Sequence, residues 1–346
     1  MNIGISFWGF LSDGIRDTPD GGRIHRLPFL KALIDRGNMI FVLQKNRDAL
    51  ETNHIINIKG LFFSDVYPNI DVLLIEYRWE IKGRNTKEDK HLLEYTPDLE
   101  RQEKLIAHYK HKIPIIIWDK DLKLKENMLE FTVVENTLLL SKNRFQLLFS
   151  YDELLQKKAI NNLKKYQFLE RENELIYIGN QYERDETFDK YINVTGNFLK
   201  TLPIVYGNWT KYKERYHQNI EKFRYVVFKD RLAYKDINTV YSKAFCTVLI
   251  APSCYYKKGQ ITQRIFESIS NLTIPFVPKE YQGINSIIVD ELFVSDGEDV
   301  ANKIRLFKKK GNKFIVNILR RQLKLLEIYS SKYQAEKFEK IYSLIK

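Results

Sequence analysis

Apolar residues in this chain fall into short continuous blocks that alternate with longer stretches spaced three or four apart. The first block, Asn2–Trp8, predicts a buried strand, and Ile24, Leu27, Phe29, Leu30, Leu33 and Ile34 predict a helix. Pro28 lies in its first turns, Gly37 ends it, and Met39–Leu43 supplies the next strand. Strand, glycine-containing loop, helix and strand in that order make a βαβ unit. Further strands are expected at Asp71–Ile75, Ile113–Trp118, Phe131–Val134 and Phe145–Phe149; Tyr151–Leu155 opens a helix, and the polar run Gln156–Lys165 reads as a linker.

The rhythm then repeats. Glu174–Gly179 predicts a strand, Phe188, Tyr191 and Ile192 a helix, and Ile204–Trp209 and Tyr225–Phe228 two more strands. A helix over Tyr234–Phe245 leads to a strand at Thr247–Ile250, a turn over Ala251–Gly259, a helix over Gly259–Leu272 and a strand at Ile274–Val277. A last strand is expected at Phe293–Gly297. From about 299 onward the chain reads as a basic, amphipathic helical tail. The fold class is therefore α/β, with one unit over residues 1–165, a second over 166–325 and a terminal helix over 326–346 that packs back on the first.

Several charged residues stand where such folds do chemistry. Arg264 and Glu267 share the polar face of the 259–272 helix, opposite Ile261, Ile265, Ile269 and Leu272. That spacing suits an exposed intrahelical ion pair, or equally an Arg for a diphosphate and a carboxylate for ribose hydroxyls. Asp119 closes the most apolar strand of the first half, where it is either a general base or a turn-capping residue. Arg184, near the start of a helix, is either a phosphate contact or an exposed residue among Glu183, Asp185 and Glu186. Gly21 and Gly22 open the first helix, where backbone amides can face an anion or a sugar, or simply form a flexible loop. No G-x-G-x-x-G fingerprint occurs, which disfavours a dinucleotide site.

Composition narrows the class. With 44% hydrophobic and 29% charged residues the chain is globular, and 346 residues suffice for two domains. A net charge of +12 favours a polyanionic partner, although many lysines can also be a plain solvated surface. Two cysteines, Cys246 and Cys254, and six scattered histidines support neither a disulfide framework nor a structural metal site. The first residues lack a basic region followed by a long apolar one, and no apolar run approaches the ~20 residues of a membrane span. A cytoplasmic protein is expected.

Three stretches resemble one family, the DNA β-glucosyltransferases of T-even bacteriophages, which have the two-domain GT-B architecture. Tyr109–Asp119 is similar to the family's strand that ends in its catalytic aspartate. Ile261–Glu267 is similar to its Thr-x-Arg-x-x-Glu helix, and Tyr177–Asp185 to its glycine-containing, Arg-bearing phosphate loop. The resemblance implies two Rossmann-like domains facing a deep cleft, a UDP-sugar donor with UDP-glucose first, and double-stranded DNA carrying hydroxymethylated bases as acceptor. It implies Asp119 as base, with Arg264, Glu267, Arg184, Gly179, Asn180 and Gly207 on the donor side and Gly21, Gly22 and Arg23 in the acceptor or sugar loop. A divalent metal is allowed but not required, and a monomer is expected. Two departures stand out: Arg184 is alone where the family has two arginines, and Gly21-Gly22-Arg23 stands where it has a glutamate. Two other readings remain: a cell-envelope polysaccharide or teichoic-acid glycosyltransferase, and a non-catalytic nucleic-acid-binding protein on the same scaffold.

Overall fold

The computed structural model describes residues 1–9, 11, 22–44, 57–64, 66–93, 95–181, 183–209 and 220–346, with the Arg23 side chain outside that set. Of the first-loop candidates, Gly21 and the Arg23 side chain thus lie outside the described residues. Contacts divide the chain into two compact units. One runs to Tyr151 and takes back Tyr329–Lys346, and the other spans Asp152–Ile328.

The first unit is a parallel sheet of β1 (Asn2–Ser6), β2 (Met39–Val42), β3 (Leu61–Phe63), β4 (Val72–Glu76), β5 (Ile115–Asp119), β6 (Thr132–Glu135) and β7 (Phe145–Gln146), ordered β3-β2-β1-β4-β5-β6-β7. β4 and β5 are buried along their whole length, which is why they read as unbroken apolar runs. α1 (Arg23–Asp35) covers one face through Phe29, Leu30 and Leu33, and α2 (Asp98–Tyr109) covers the other through Leu105 and Tyr109. The terminal helix Ser331–Ile345 packs on α1, with Phe338 edge-on to Phe29 and Glu339 accepting from Arg36 Nε and Asn38 Nδ2, each at 2.7 Å. The strand expected over Phe145–Phe149 stops at Gln146. Beyond Leu147, side chains capture the amides: Gln334 Oε1 accepts from Leu148 N and Asn136 Oδ1 from Phe149 N.

The helix expected to open within Tyr151–Leu155 is present and runs on through much of the stretch where a linker was expected. α3 (Glu153–Asn162) is capped by Asp152, whose side chain accepts from Leu154 N, and a 3-10 turn follows it (Leu163–Phe168). Its polar sequence hides a narrow buried face of Gln156, Ala159 and Leu163, with Gln156 Nε2 donating to Leu323 O at 2.8 Å. The boundary between units therefore runs at 151/152 rather than 165/166.

The second sheet comprises β8 (Asn173–Ile178), β9 (Ile204–Tyr206), β10 (Val227–Lys229), β11 (Ala244–Val248), β12 (Ile274–Pro278) and β13 (Phe293–Val294), all parallel in the order β10-β9-β8-β11-β12-β13. α4 (Asp185–Phe188) continues through a π turn (Asp189–Asn193) and an α turn (Val194–Gly196). The expected 234–245 helix shrinks to α5 (Ile237–Ser242), because Ala244 and Phe245 already belong to β11. The expected turn over 251–259 contains α6 (Ser253–Lys258), closed by Gly259 at φ +61°. α7 (Arg264–Ser270) thus starts later than the apolar spacing suggested. The tail is three helices, α8 (Gly297–Lys310), α9 (Asn312–Leu325) and α10 (Ser331–Ile345), with Gly311 at φ +80° separating the first two. Cys246 is fully buried, its thiol donating to Glu174 O.

In each sheet the chain winds outward over three strands and then returns to the other side of the first. The reversal leaves a switch point between β1 and β4 in one unit and between β8 and β11 in the other. Ligands of open α/β sheets collect beyond the strand ends at such points.

Candidate active site

Arg264 occupies the switch point of the second unit. Its Nε donates to the carbonyl of Ile178, the last residue of β8, at 2.6 Å, and its Nη1 to that of Ile250, just past β11, at 3.3 Å. The guanidinium also lies 5.0 Å from the Tyr177 ring centroid. Gly179 makes room for it: a Cβ there would sit 2.4 Å from Nη2. Gly179 is held in turn by Gly207, whose own Cβ would fall 2.3 Å from the Gly179 carbonyl oxygen. That oxygen accepts from Trp209 Nε1 at 2.7 Å, and Asn180 Oδ1 accepts from Asn208 N at 3.0 Å. Gly179, Asn180 and Gly207 are therefore brought together as the frame that seats Arg264.

One turn along α7, Glu267 is buried, and among the described residues neither Arg264 nor any other group forms an ion pair or hydrogen bond with its carboxylate. Burial pushes this carboxyl up to about 7, against the pull of Arg264. The two charges on α7 are close but unpaired, which excludes the exposed ion pair. Arg184 precedes α4, and its Nη1 donates to Asn180 O at 2.7 Å. Its Nε, Tyr177 Oη, Tyr241 Oη and Thr262 Oγ1 are buried without a hydrogen-bond partner among the described residues. Unmet donors and hydroxyls around two arginines and a carboxyl are the chemistry a nucleoside diphosphate would satisfy. Sequence spacing alone could not find Tyr177, Tyr241 or Thr262, because buried aromatics and a lone Thr look like core.

In the first unit Asp119 ends β5, 4% exposed. Its Oδ1 accepts from Lys123 N at 3.1 Å and its Oδ2 from Leu124 N at 3.3 Å. Burial pushes its pKa up, against those two amide bonds. The carboxylate holds the following loop and is also placed at the strand-end edge where a base would be needed. Gly22 precedes α1, and a Cβ there would lie 2.2 Å from the Arg26 guanidinium, so its observed role is to admit that side chain.

Arg26 belongs to a cluster that the sequence reading missed. Glu76, at the end of β4, accepts from Arg26 Nε at 3.0 Å and Nη2 at 2.8 Å and from Lys120 Nζ, while His25 Nε2 lies 3.6 Å away. All four side chains are at least nine-tenths buried. Burial alone would raise the Glu76 carboxyl, but Arg26 and Lys120 hold it well below the usual carboxylate range. Burial and then Lys120 push His25 down to about 4, against the pull of Glu76. Arg26 Nη2 also donates to Trp8 O at 2.6 Å, closing the switch point beside β1. The signal available in sequence was that Glu76 and Lys120 both end apolar strand runs.

Among the described residues no three His, Cys, Asp or Glu side chains gather as a metal site, and no helix is long and apolar enough to cross a membrane.

Two Rossmann-like sheets of this strand order, with the terminal helix returned to the first unit, define the GT-B fold. The chain is similar over its whole length, and over the whole of the other chain, to T4 phage β-glucosyltransferase, at 16% identity and TM-score 0.62. It is similar to an α-glucosyltransferase in complex with UDP and a 13-mer DNA, at 13% identity and TM-score 0.66, covering 99% of this chain and 100% of that one. Anabaena HepE in complex with UDP and glucose matches at 10% identity and TM-score 0.58, over 99% of this chain and 100% of that one. No protein-family model and no curated protein matches the sequence.

Proposed function

We propose that the protein is an inverting glycosyltransferase that moves glucose from UDP-glucose to the hydroxyl of a hydroxymethylated pyrimidine in duplex DNA, a phage-type DNA modification. The observation that carries the donor half is Arg264. Its Nε and Nη1 are fixed by strand-end carbonyls, so Nη2 is the arm turned toward Gly179 just beyond β8, and one turn along α7 the buried Glu267 carboxylate has no partner among the described residues. In this reading Arg264 and Arg184 take the diphosphate and Glu267 the ribose hydroxyls. The structures of similar fold that hold UDP or UDP-glucose support the same donor.

Asp119 accepts the proton of the acceptor hydroxyl as its oxygen attacks the anomeric carbon. The bond from that carbon to the diphosphate oxygen breaks, UDP leaves, and the configuration inverts. Charge gathering on the leaving diphosphate is met by the two arginines. The net charge of +12 suits a grip on the phosphate backbone that does not read sequence, and the buried base would be reached by flipping. A divalent metal is not needed for this scheme. A monomeric, cytoplasmic enzyme completes the reading.

The test is transfer of labelled glucose from UDP-glucose to hydroxymethylated and to unmodified DNA, with wild type and Asp119→Asn. Label on hydroxymethylated DNA alone, lost in Asp119→Asn, is the expected result. UDP binding without transfer to either DNA would remove the DNA acceptor and turn attention to envelope polysaccharide or teichoic-acid acceptors. Failure to bind any nucleotide would remove the enzyme reading altogether and leave a nucleic-acid-binding scaffold.

A further inference from the structure

Beside the Glu76 cluster, the end of the first sheet holds a second buried arginine whose hydrogen bonding is incomplete. Arg78 follows β4 and is 2% exposed. Its backbone is clamped on both sides by Gln102, which accepts from Arg78 N at 2.8 Å and donates to Arg78 O at 3.0 Å. Its Nε donates to Asp98 Oδ2 at 2.8 Å, an end-on pairing that leaves Nη2 buried with no partner among the described residues. Asp98 has little left to give, since its Oδ1 already accepts from Asn85 Nδ2 and Leu99 N.

The guanidinium lies over Trp8, 4.5 Å from the ring centroid, and 5.2 Å from that of Trp79. The indole Nε1 of Trp8 is likewise buried without a partner among the described residues. Trp8 and Trp79 meet edge to face at 6.0 Å, and both are partly exposed. Asn85 Nδ2 also donates to Trp79 O, which stiffens the frame. The unmet groups here are donors, one of them cationic, and a buried donor left unpaired is costly unless a ligand or water meets it.

We propose that Arg78 Nη2 and Trp8 Nε1 form an oxyanion site that takes one phosphate group of the acceptor, with the Trp8 and Trp79 rings as its walls. This rests on the proposed acceptor being a nucleic acid. A fixed phosphate contact next to β5 would set the register of the acceptor against Asp119 without reading its base.

The experiment is calorimetric titration of the full-length protein, saturated with UDP to keep phosphate away from Arg264. The titrants are inorganic phosphate, deoxycytidine 5′-monophosphate and a short DNA duplex, at one fixed salt concentration. Trp8→Phe keeps the ring and loses one donor, and should weaken binding about three- to tenfold. Arg78→Lys keeps the charge for Asp98 and loses Nη2, and should weaken it tenfold or more. Melting midpoints and UDP affinity, measured on the same samples, should stay within error for Trp8→Phe. Loss of response to all three titrants supports a site for phosphate esters generally, and loss confined to the duplex supports a backbone phosphodiester. No heat with any titrant, or equal affinities in wild type and both variants, overturns the site. If UDP itself fails to bind, the proposed function falls, while the same phosphate titration run on Arg264→Ala still decides this inference.

Discussion

Arg264 Nε donates to the carbonyl oxygen of Ile178 at 2.6 Å, so the last residue of β8 fixes the orientation of the guanidinium on α7. A second bond, from Nη1 to Ile250 O, ties the same group to the end of β11. The arginine thus spans the gap where strand order reverses, and only a planar fork can bond both carbonyls and still present an N–H outward. Arg264→Lys is expected to lower UDP affinity by about tenfold or more, equivalent to about 1.4 kcal/mol, measured by calorimetry. Unchanged affinity would separate this residue from nucleotide binding.

Glu267 carries a pH dependence of defined sign. Its carboxyl is raised to about 7 in the fold, against an ordinary 4.5, so the folded state holds more protons across that interval. Stability from this group is therefore lost as pH rises from about 4.5 to 7, by a total on the order of 3 kcal/mol. Glu267→Gln should flatten that slope and melt higher than wild type at pH 8. Ribose hydroxyls donating to the carboxylate would favour its charged form, so UDP should bind more tightly at pH 8 than at pH 6 and release a proton below pH 7. A pH-independent UDP affinity would argue against contact between Glu267 and the ribose.

His25 works in the opposite direction. Its folded pKa of about 4 lies below its ordinary 6.5, so the unfolded chain binds the extra proton and stability falls as pH drops from 6.5 to 4. Glu76 adds to acid sensitivity below the ordinary carboxylate pKa, because its partners hold the charged form in the fold. Glu76→Gln leaves Arg26 and Lys120 buried without their carboxylate and should cost about 3–5 kcal/mol by urea unfolding at pH 7. A loss under about 1 kcal/mol would show that the cluster is not desolvated as described.

The two glycines under Arg264 should differ in kind. Gly179→Ala drives a Cβ into a side chain that can shift, so the loss should appear in UDP affinity more than in the melting midpoint. Gly207→Ala drives one into the Gly179 carbonyl, which is backbone, and should destabilise the fold by about 1–3 kcal/mol. Equal effects of the two substitutions on both readouts would contradict this division.

The order of strands and helices was legible because parallel strands buried on both faces leave unbroken apolar runs, as at Ile115–Asp119 and Ile274–Pro278. Arg264 and Glu267 were legible because helical spacing put them on one face. The continuation of α3 past Leu155 was not, since one Gln, one Ala and one Leu do not show as an apolar stripe, and the side-chain capture that stops β7 leaves no periodic trace. The Glu76 cluster was hidden for a different reason. Its members come from α1, β4 and the end of β5, and only the strand order brings His25, Arg26, Glu76 and Lys120 within reach of one another. Chemistry assembled across a sheet has no spacing to read.

The shared strand order gives each unit an arginine at its switch point, but the two arginines are not equally available. Arg26 already has a carboxylate of its own chain against its Nε and Nη2, whereas among the described residues Arg264 donates to neutral carbonyls. Glu76 is thus a resident counter-ion: it fills at one switch point the place that a bound anion could take at the other. Two halves of similar topology thus differ in what their switch-point arginines face, and the difference lies in a single side chain at the end of β4.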